Sequence, residues 1–211
     1  MLHLKSFCFG PFQENTYLLY DDQGECFIFD PGNSTSSENS EMKTFIEEKK
    51  LKPSRLLLTH AHLDHILGNK FVHDAWGLLP EVNEYDLFFI EKMMQSSSMY
   101  GIPAEQSPMP SHFLKEGEKI KLAEHELLCI HTPGHSPGSI SFYCEKSKFL
   151  ISGDVLFLGS IGRTDLPMGD HETLLNSIRK KLFVLPGEVK VYSGHGPSTN
   201  IGFERENNPF F

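Results

Sequence analysis

The chain has 211 residues, 39% hydrophobic and 22% charged, a globular balance that excludes a disordered or fibrous chain. That length suits one domain, 1–211, with a sizeable core. A formal net charge of -9 argues against non-specific partners such as nucleic acid or an anionic membrane surface.

Residues 15–20 and 26–30 read as successive strands separated by the turn signal Asp21-Asp22-Gln23-Gly24. Residues 30–40 are rich in turn formers, and a helix is predicted over 40–50, where Met42, Phe45 and Ile46 repeat at helical spacing. Pro53 is expected to stop that helix, and Arg55-Leu56-Leu57-Leu58-Thr59 reads as a buried strand. A second helix is predicted near Leu63, taking in Ile66, Leu67 and Phe71, with Gly68 as its weak spot. Residues 84–111 begin helical and end in a Pro- and Ser-rich loop. Strands return at 125–132, 139–144 and 148–154, followed by a helix over 171–185 and a last strand over 188–195. Each half thus runs strands, helix, strand, helix. The pattern predicts an α/β fold of two mixed β-sheets packed together with helices outside, four layers in all.

No stretch reaches the roughly 20 apolar residues that span a bilayer, and the N-terminus reads as neither signal peptide nor anchor. Cys8, Cys26, Cys129 and Cys144 show no C-x-x-C pair and are expected to be buried free thiols. A cytoplasmic protein is the default expectation.

Eleven histidines are an enrichment for a chain of this size. Residues 59–69 read THAHLDHILGN, with His60, His62, Asp64 and His65 inside six positions just after the apolar run. Alternate side chains of an extended segment share a face, so His60 and His62 can converge on one point. Asp64 and His65 then sit in the first turn of the following helix, near a second point. An N-capping role accounts for Asp64 alone; three neighbouring histidines point to a metal. Further candidates, His131, His135, Asp154 and His195, lie where predicted strands meet loops. Taken alone, His131 is expected to be structural or at most a partner of a ligand.

The ordered set H-x-H-x-D-H, T-P-G-H, G-D and G-H-G resembles the metallo-β-lactamase superfamily. The likeness runs from "FQENTYLL" and "FDPG" to the C-terminus. That resemblance implies an αββα sandwich with two divalent ions between the sheets, zinc first, with iron or manganese also compatible. His60, His62 and His135 would hold one ion, and Asp64, His65 and His195 the other. Asp154 would bridge them, with Asp64 also orienting. The remaining histidines, His3, His73, His112, His125 and His171, have no role in the resemblance and are expected at the surface or on helices.

Such a pair implies a metal-bridging hydroxide that attacks an activated carbonyl. Consistent with that chemistry, no G-x-S-x-G elbow is present. Residues 159–170 and 194–210 look like the glyoxalase II-like hydrolases of the short, single-domain bacterial type. The implied substrate is a small-molecule thioester such as S-lactoylglutathione. The helical domain that grips glutathione in full-length glyoxalase II has no counterpart in the sixteen residues after His195. Arg163 is a candidate for a substrate carboxylate, against the alternative of pairing with Asp165 to stiffen its loop. The 84–110 segment could supply a pocket wall through Met93, Met94, Met99 and Tyr100, although core packing is the expected role. Glu204 and Arg205 are expected to be structural.

The first alternative is a mononuclear-iron glutathione persulfide dioxygenase, which shares the fold, the H-x-H-x-D-H motif and a similar "GRTD". A non-catalytic metal-binding protein is the minor alternative. A nuclease is disfavoured by acidity and length, and a β-lactamase by the expected location. Oligomeric state is not legible in the sequence.

Overall fold

Strands whose neighbours cover both faces read as continuous apolar runs, and this chain shows why. In the computed structural model, which describes residues 1–211, Leu18, Ile28, Leu56 and Leu58 pack toward helices. Leu19, Phe27, Phe29 and Leu57, one residue out of phase with them, pack into the space between two sheets. Period-two alternation therefore divides each run between two separate cores.

The first sheet orders β1 (Leu2–Phe9), β2 (Glu14–Asp21), β3 (Glu25–Phe29), β4 (Lys52–Leu57), β5 (Pro80–Val82) and β6 (His112–Phe113) side by side. The first three pair antiparallel; β3 to β6 are parallel. The second sheet runs β14 (Thr199–Asn200), β13 (Lys190–Ser193), β10 (Phe149–Gly153), β9 (Ile140–Cys144), β8 (His125–His131) and β7 (Lys119–Leu122). Only the β10/β13 pair in it is parallel. A small hairpin, β11 (Leu156–Phe157) with β12 (Ser160–Ile161), follows β10.

Helices α1 (Ser36–Glu48), α2 (Leu63–Ile66), α3 (Asn69–Trp76), α4 (Leu87–Glu91) and α5 (Met93–Tyr100) supply buried residues to the outer core of the first sheet. Helix α6 (His171–Ser177), its wider-turned continuation over Ile178–Leu182, and α7 (Ile201–Asn207) do the same for the second. The result is the four-layer sandwich expected from the sequence. No helix is long and apolar enough to cross a membrane.

Several local expectations are corrected. Helix α1 starts at Ser36 rather than 40, because Thr35 and Glu38 form a reciprocal capping box. It ends at Glu48, and Pro53 lies inside β4. The proline is tolerated there because the pairing with β3 shifts register at Cys26/Phe27 and β5 reaches only Leu56 and Leu57. The helix predicted from Leu63 is split at Leu67–Gly68 into α2 and α3. Cys26, Cys129 and Cys144 are buried free thiols, but Cys8 is exposed on the edge strand β1. His125 is buried in β8 beside Ser147, rather than at the surface or on a helix.

Candidate metal centre

Four of the loops that follow strands carry the candidate side chains. His60, His62, Asp64 and His65 follow β4; His135 follows β8; Asp154 follows β10; and His195 follows β13. Such positions at the carboxyl ends of strands are where open α/β sheets expose functional groups on a rigid base.

The structure brings all seven candidates together. His62 Nδ1 and His60 Nε2 lie 2.8 and 3.2 Å from His135 Nε2, so three imidazole nitrogens meet at one point. Asp64, His65 and His195 form a second group, with Asp64 Oδ2 at 3.1 Å from His195 Nε2 and 3.8 Å from His65 Nε2. Asp154 stands between the two. Its Oδ2 is 3.6 Å from His135 Nε2 and 3.5 Å from His195 Nε2, and its Oδ1 is 3.4 Å from His65 Nε2.

The donor set fits metal ions. His65 Nε2 and Asp154 Oδ1 are buried without a hydrogen-bond partner. Leaving such groups unsatisfied costs about 1–3 kcal/mol each, a cost that a cation between them would remove. The far nitrogens of four imidazoles are each near an oxygen. His135 Nδ1 bonds the Arg163 carbonyl at 2.7 Å, and His195 Nδ1 the Gln13 carbonyl at 3.3 Å. His60 Nδ1 meets Thr59 Oγ1 at 3.1 Å, and His65 Nδ1 lies 3.2 Å from Asp30 Oδ2. An N–H directed outward leaves each Nε2 lone pair aimed at the centre, the arrangement metal-binding histidines use.

Electrostatics divide the cluster. Burial first, then the neighbouring histidines, holds His60 well below the usual histidine range, and burial with His135 takes His62 down to about 3. These imidazoles are neutral, as ligation requires. Burial also opposes charge on His65, but Asp154 and Asp64 together outweigh it and hold that ring well above its ordinary value. Burial raises Asp154, yet His65 and its neighbours pull the carboxyl well below the carboxylate range.

Residues that sequence reasoning missed hold these loops. Asp30 accepts from Thr59 N at 2.7 Å and Thr59 Oγ1 at 2.6 Å. Asn15 ties the β1–β2 turn to the His195 loop, its Nδ2 reaching Ser193 O at 3.0 Å and Gly196 O at 2.8 Å. Fully buried Glu14 lies 3.9 Å from His65 Nδ1. Asp30 and Asn15 fell within the quoted "FDPG" and "FQENTYLL" stretches, but nothing local distinguishes them from turn formers. Asp86 gave no sequence signal at all.

His131 stays outside the cluster. Its Nε2–H donates to Pro137 O at 2.8 Å, and its backbone N–H donates to Glu116. His131→Gln, which keeps a donor there, should change kcat/KM less than about threefold, within the small range of substitutions away from special features. A loss matching that of a cluster residue would show that the ligand set is wrongly drawn.

A cavity of about 510 Å³ opens over the cluster, with His62, Asp64, His135, Asp154 and His195 in its lining. Phe88, Phe89, Met93, Met99 and Tyr100 of the 84–110 segment also line it. Of the four residues named there, only Met93 is a core residue as expected. Met99 and Tyr100 are exposed against the cavity, and Met94 is exposed outside it. Phe12 meets Tyr100 edge to face at 5.9 Å across the rim. Arg163 also lines the cavity and forms a two-pronged pair with Asp165, 2.7 Å at each contact. Glu204 is buried as a structural acceptor for Thr199, Gly159 N and Asn208, while Arg205 bonds the Phe183 carbonyl.

The sequence profile of the metallo-β-lactamase superfamily matches residues 9–195. The chain belongs to the metallo-β-lactamase superfamily. Among its relatives within the superfamily is the hydroxyacylglutathione hydrolase GloC of Haemophilus influenzae, 41% identical over 205 residues that cover 94% of this chain and 93% of that one. The B3 metallo-β-lactamase BLEG-1 superposes with a TM-score of 0.90 at 40% identity, over 99% of both chains. The protein TTHA1623 in a di-iron-bound form gives 0.88 at 35% identity, over 98% of this chain and all of the other. The superfamily member is thus a metallo-hydrolase by kinship, with a His/Asp cluster suited to divalent ions.

Proposed function

We propose that the chain, acting as one 1–211 unit, is a metal-dependent hydrolase of small-molecule thioesters, S-lactoylglutathione or a related acyl thioester. His60, His62 and His135 would hold one divalent ion, Asp64, His65 and His195 the other, with Asp154 shared. The observation that carries this reading is the position of Asp154 Oδ2, 3.6 Å from the first group and 3.5 Å from the second, at the base of an open cavity. Likeness to a hydroxyacylglutathione hydrolase supports the thioester class. The ligand set suits zinc, iron and manganese alike, and we put zinc first.

Divalent ions held by these residues would supply Lewis acidity for a carbonyl oxygen and a more acidic water at neutral pH. The remaining work falls to the chain. The Gln13 carbonyl at His195 Nδ1 fixes the orientation of that imidazole, and Asp64 would stand beside its Nε2 as a fellow ligand. Phe88, Phe89, Met99 and Tyr100 form an apolar wall against which an acyl group can shed water. Arg163 could meet a substrate carboxylate through Nη1, which its pair with Asp165 does not use, and the pair itself stiffens the loop whose carbonyl holds His135.

Metal content and a substrate panel on protein purified without chelators test the reading. About two ions per chain with thioester turnover is the expected result. One iron per chain with oxygen uptake on glutathione persulfide would replace it with a dioxygenase. Turnover confined to β-lactams would move the substrate class, and tight metal binding without any turnover would leave a binding protein.

A further inference from the structure

Loops from opposite sheets meet to build the three-histidine group, and a backbone bond from Ile140 N to Thr59 O at 2.7 Å brings their bases together. His60 and His62 belong to the first sheet, whereas His135 belongs to the second. One buried side chain joins them. Asp86, fully buried at the end of a 3₁₀ turn (Glu84–Asp86), accepts from Ala61 N at 2.9 Å. It also accepts from Ser136 Oγ at 2.8 Å and Gly138 N at 2.6 Å. Ala61 lies between His60 and His62, and Ser136 follows His135. Gly138 is shaped to this contact: a Cβ there would come 2.6 Å from Asp86 Oδ1. Three residues further along, Phe89 packs its ring 4.8 Å from that of His62.

We propose that Asp86 is the positioning residue of the three-histidine group, clamping the His60/His62 loop to the His135 loop so that the site is assembled before an ion enters. The inference rests on the metal reading above. Its physical basis is preorganisation. A carboxylate can accept all three donors at once, and charge-assisted bonds are stronger than neutral ones. Asparagine cannot replace it. With its oxygen toward Ala61 and Ser136, its NH₂ faces the Gly138 N–H; turned over, it faces the Ala61 N–H. Either way two donors confront each other.

The test is competition between the full-length chain and a chromophoric chelator for cobalt(II), with the visible cobalt spectrum as a record of ligand geometry. Asp86→Asn should weaken one of two ion affinities about 10–100-fold, the usual cost of losing a group that orients a ligand. The other affinity should change less than about threefold, and the spectrum of the weakened site should shift. His195→Ala, which removes a nitrogen of the second group alone, identifies the site: the affinity lost in Asp86→Asn must be the one kept in His195→Ala. Equal loss at both sites, or unchanged affinities and spectra, would overturn the proposal. Should Asp86→Asn fail to fold, Ser136→Ala decides, since it removes one donor and leaves two; an unchanged affinity there would also overturn it. Wild-type protein that takes up no cobalt would instead sink the metal reading itself.

Discussion

Asp154→Ala should lower kcat/KM for thioester hydrolysis by about a thousand-fold or more. Each 1.36 kcal/mol of lost transition-state stabilisation is a factor of ten, and a paired metal site supplies several kcal/mol. No other side chain reaches both groups as Asp154 does, with nitrogens of His65, His135 and His195 at 3.4 to 3.6 Å. Its loss separates the two halves of the centre, so the metal count should fall along with the rate. The fold should survive. Some stability should go with the carboxylate, because Asp154 is one of two carboxylates that offset the charge of buried His65, but Asp64 remains beside that ring. The measurement is steady-state kinetics and elemental analysis beside a thermal melt of the metal-free protein. A loss below about tenfold in a variant that still melts cooperatively would take the bridging role away from Asp154.

Gly194→Ala should push the Asp154 carboxylate out of place and crowd His65, weakening ion binding at the centre and costing at least about a hundred-fold in activity. A Cβ at this position would lie 2.1 Å from Asp154 Oδ1 and 2.8 Å from His65 Cε1. The backbone has little freedom to withdraw. Gly194 N donates to Gly153 O at 2.9 Å, and Gly194 O accepts from Asn15 N at 2.7 Å. Overpacking of this kind costs about 1–3 kcal/mol of stability, but the carboxylate is the softer neighbour and should yield first. Gly196→Ala is the comparison. Gly196 adopts φ +71° with nothing within 4 Å of its would-be Cβ. The alanine there should therefore cost about 1 kcal/mol through its backbone alone while ion affinity holds. Chelator competition on the two variants separates the effects; equal affinity in both would mean that Gly194 is not shaped by the site.

Much of this was legible in the sequence because it depends on short-range periodicity. Continuous runs such as Leu56-Leu57-Leu58 declare a strand buried on both faces. The H-x-H-x-D-H spacing places four candidate metal ligands on one strand-to-helix turn. The Thr35–Glu38 capping box was equally local, although the predicted start of α1 fell four residues past it. Strands of two or three residues, such as β5, β6 and β14, carry no period to detect. Exposure also escaped local reading: Cys8 is exposed on an edge strand, and Met99 and Tyr100 face a cavity whose opposite wall comes from Phe157, Leu166 and Pro167. Sequence by itself determined the layers, the order of the strands that bear function and the chemical types at the centre. Only the tertiary structure decided which nitrogen of each histidine points inward, and that Asn15, Asp30 and Asp86 hold the loops. The three loop ties are hydrogen bonds across separations of 25 to 181 residues, and such a contact leaves no pattern in the residues on either side of it.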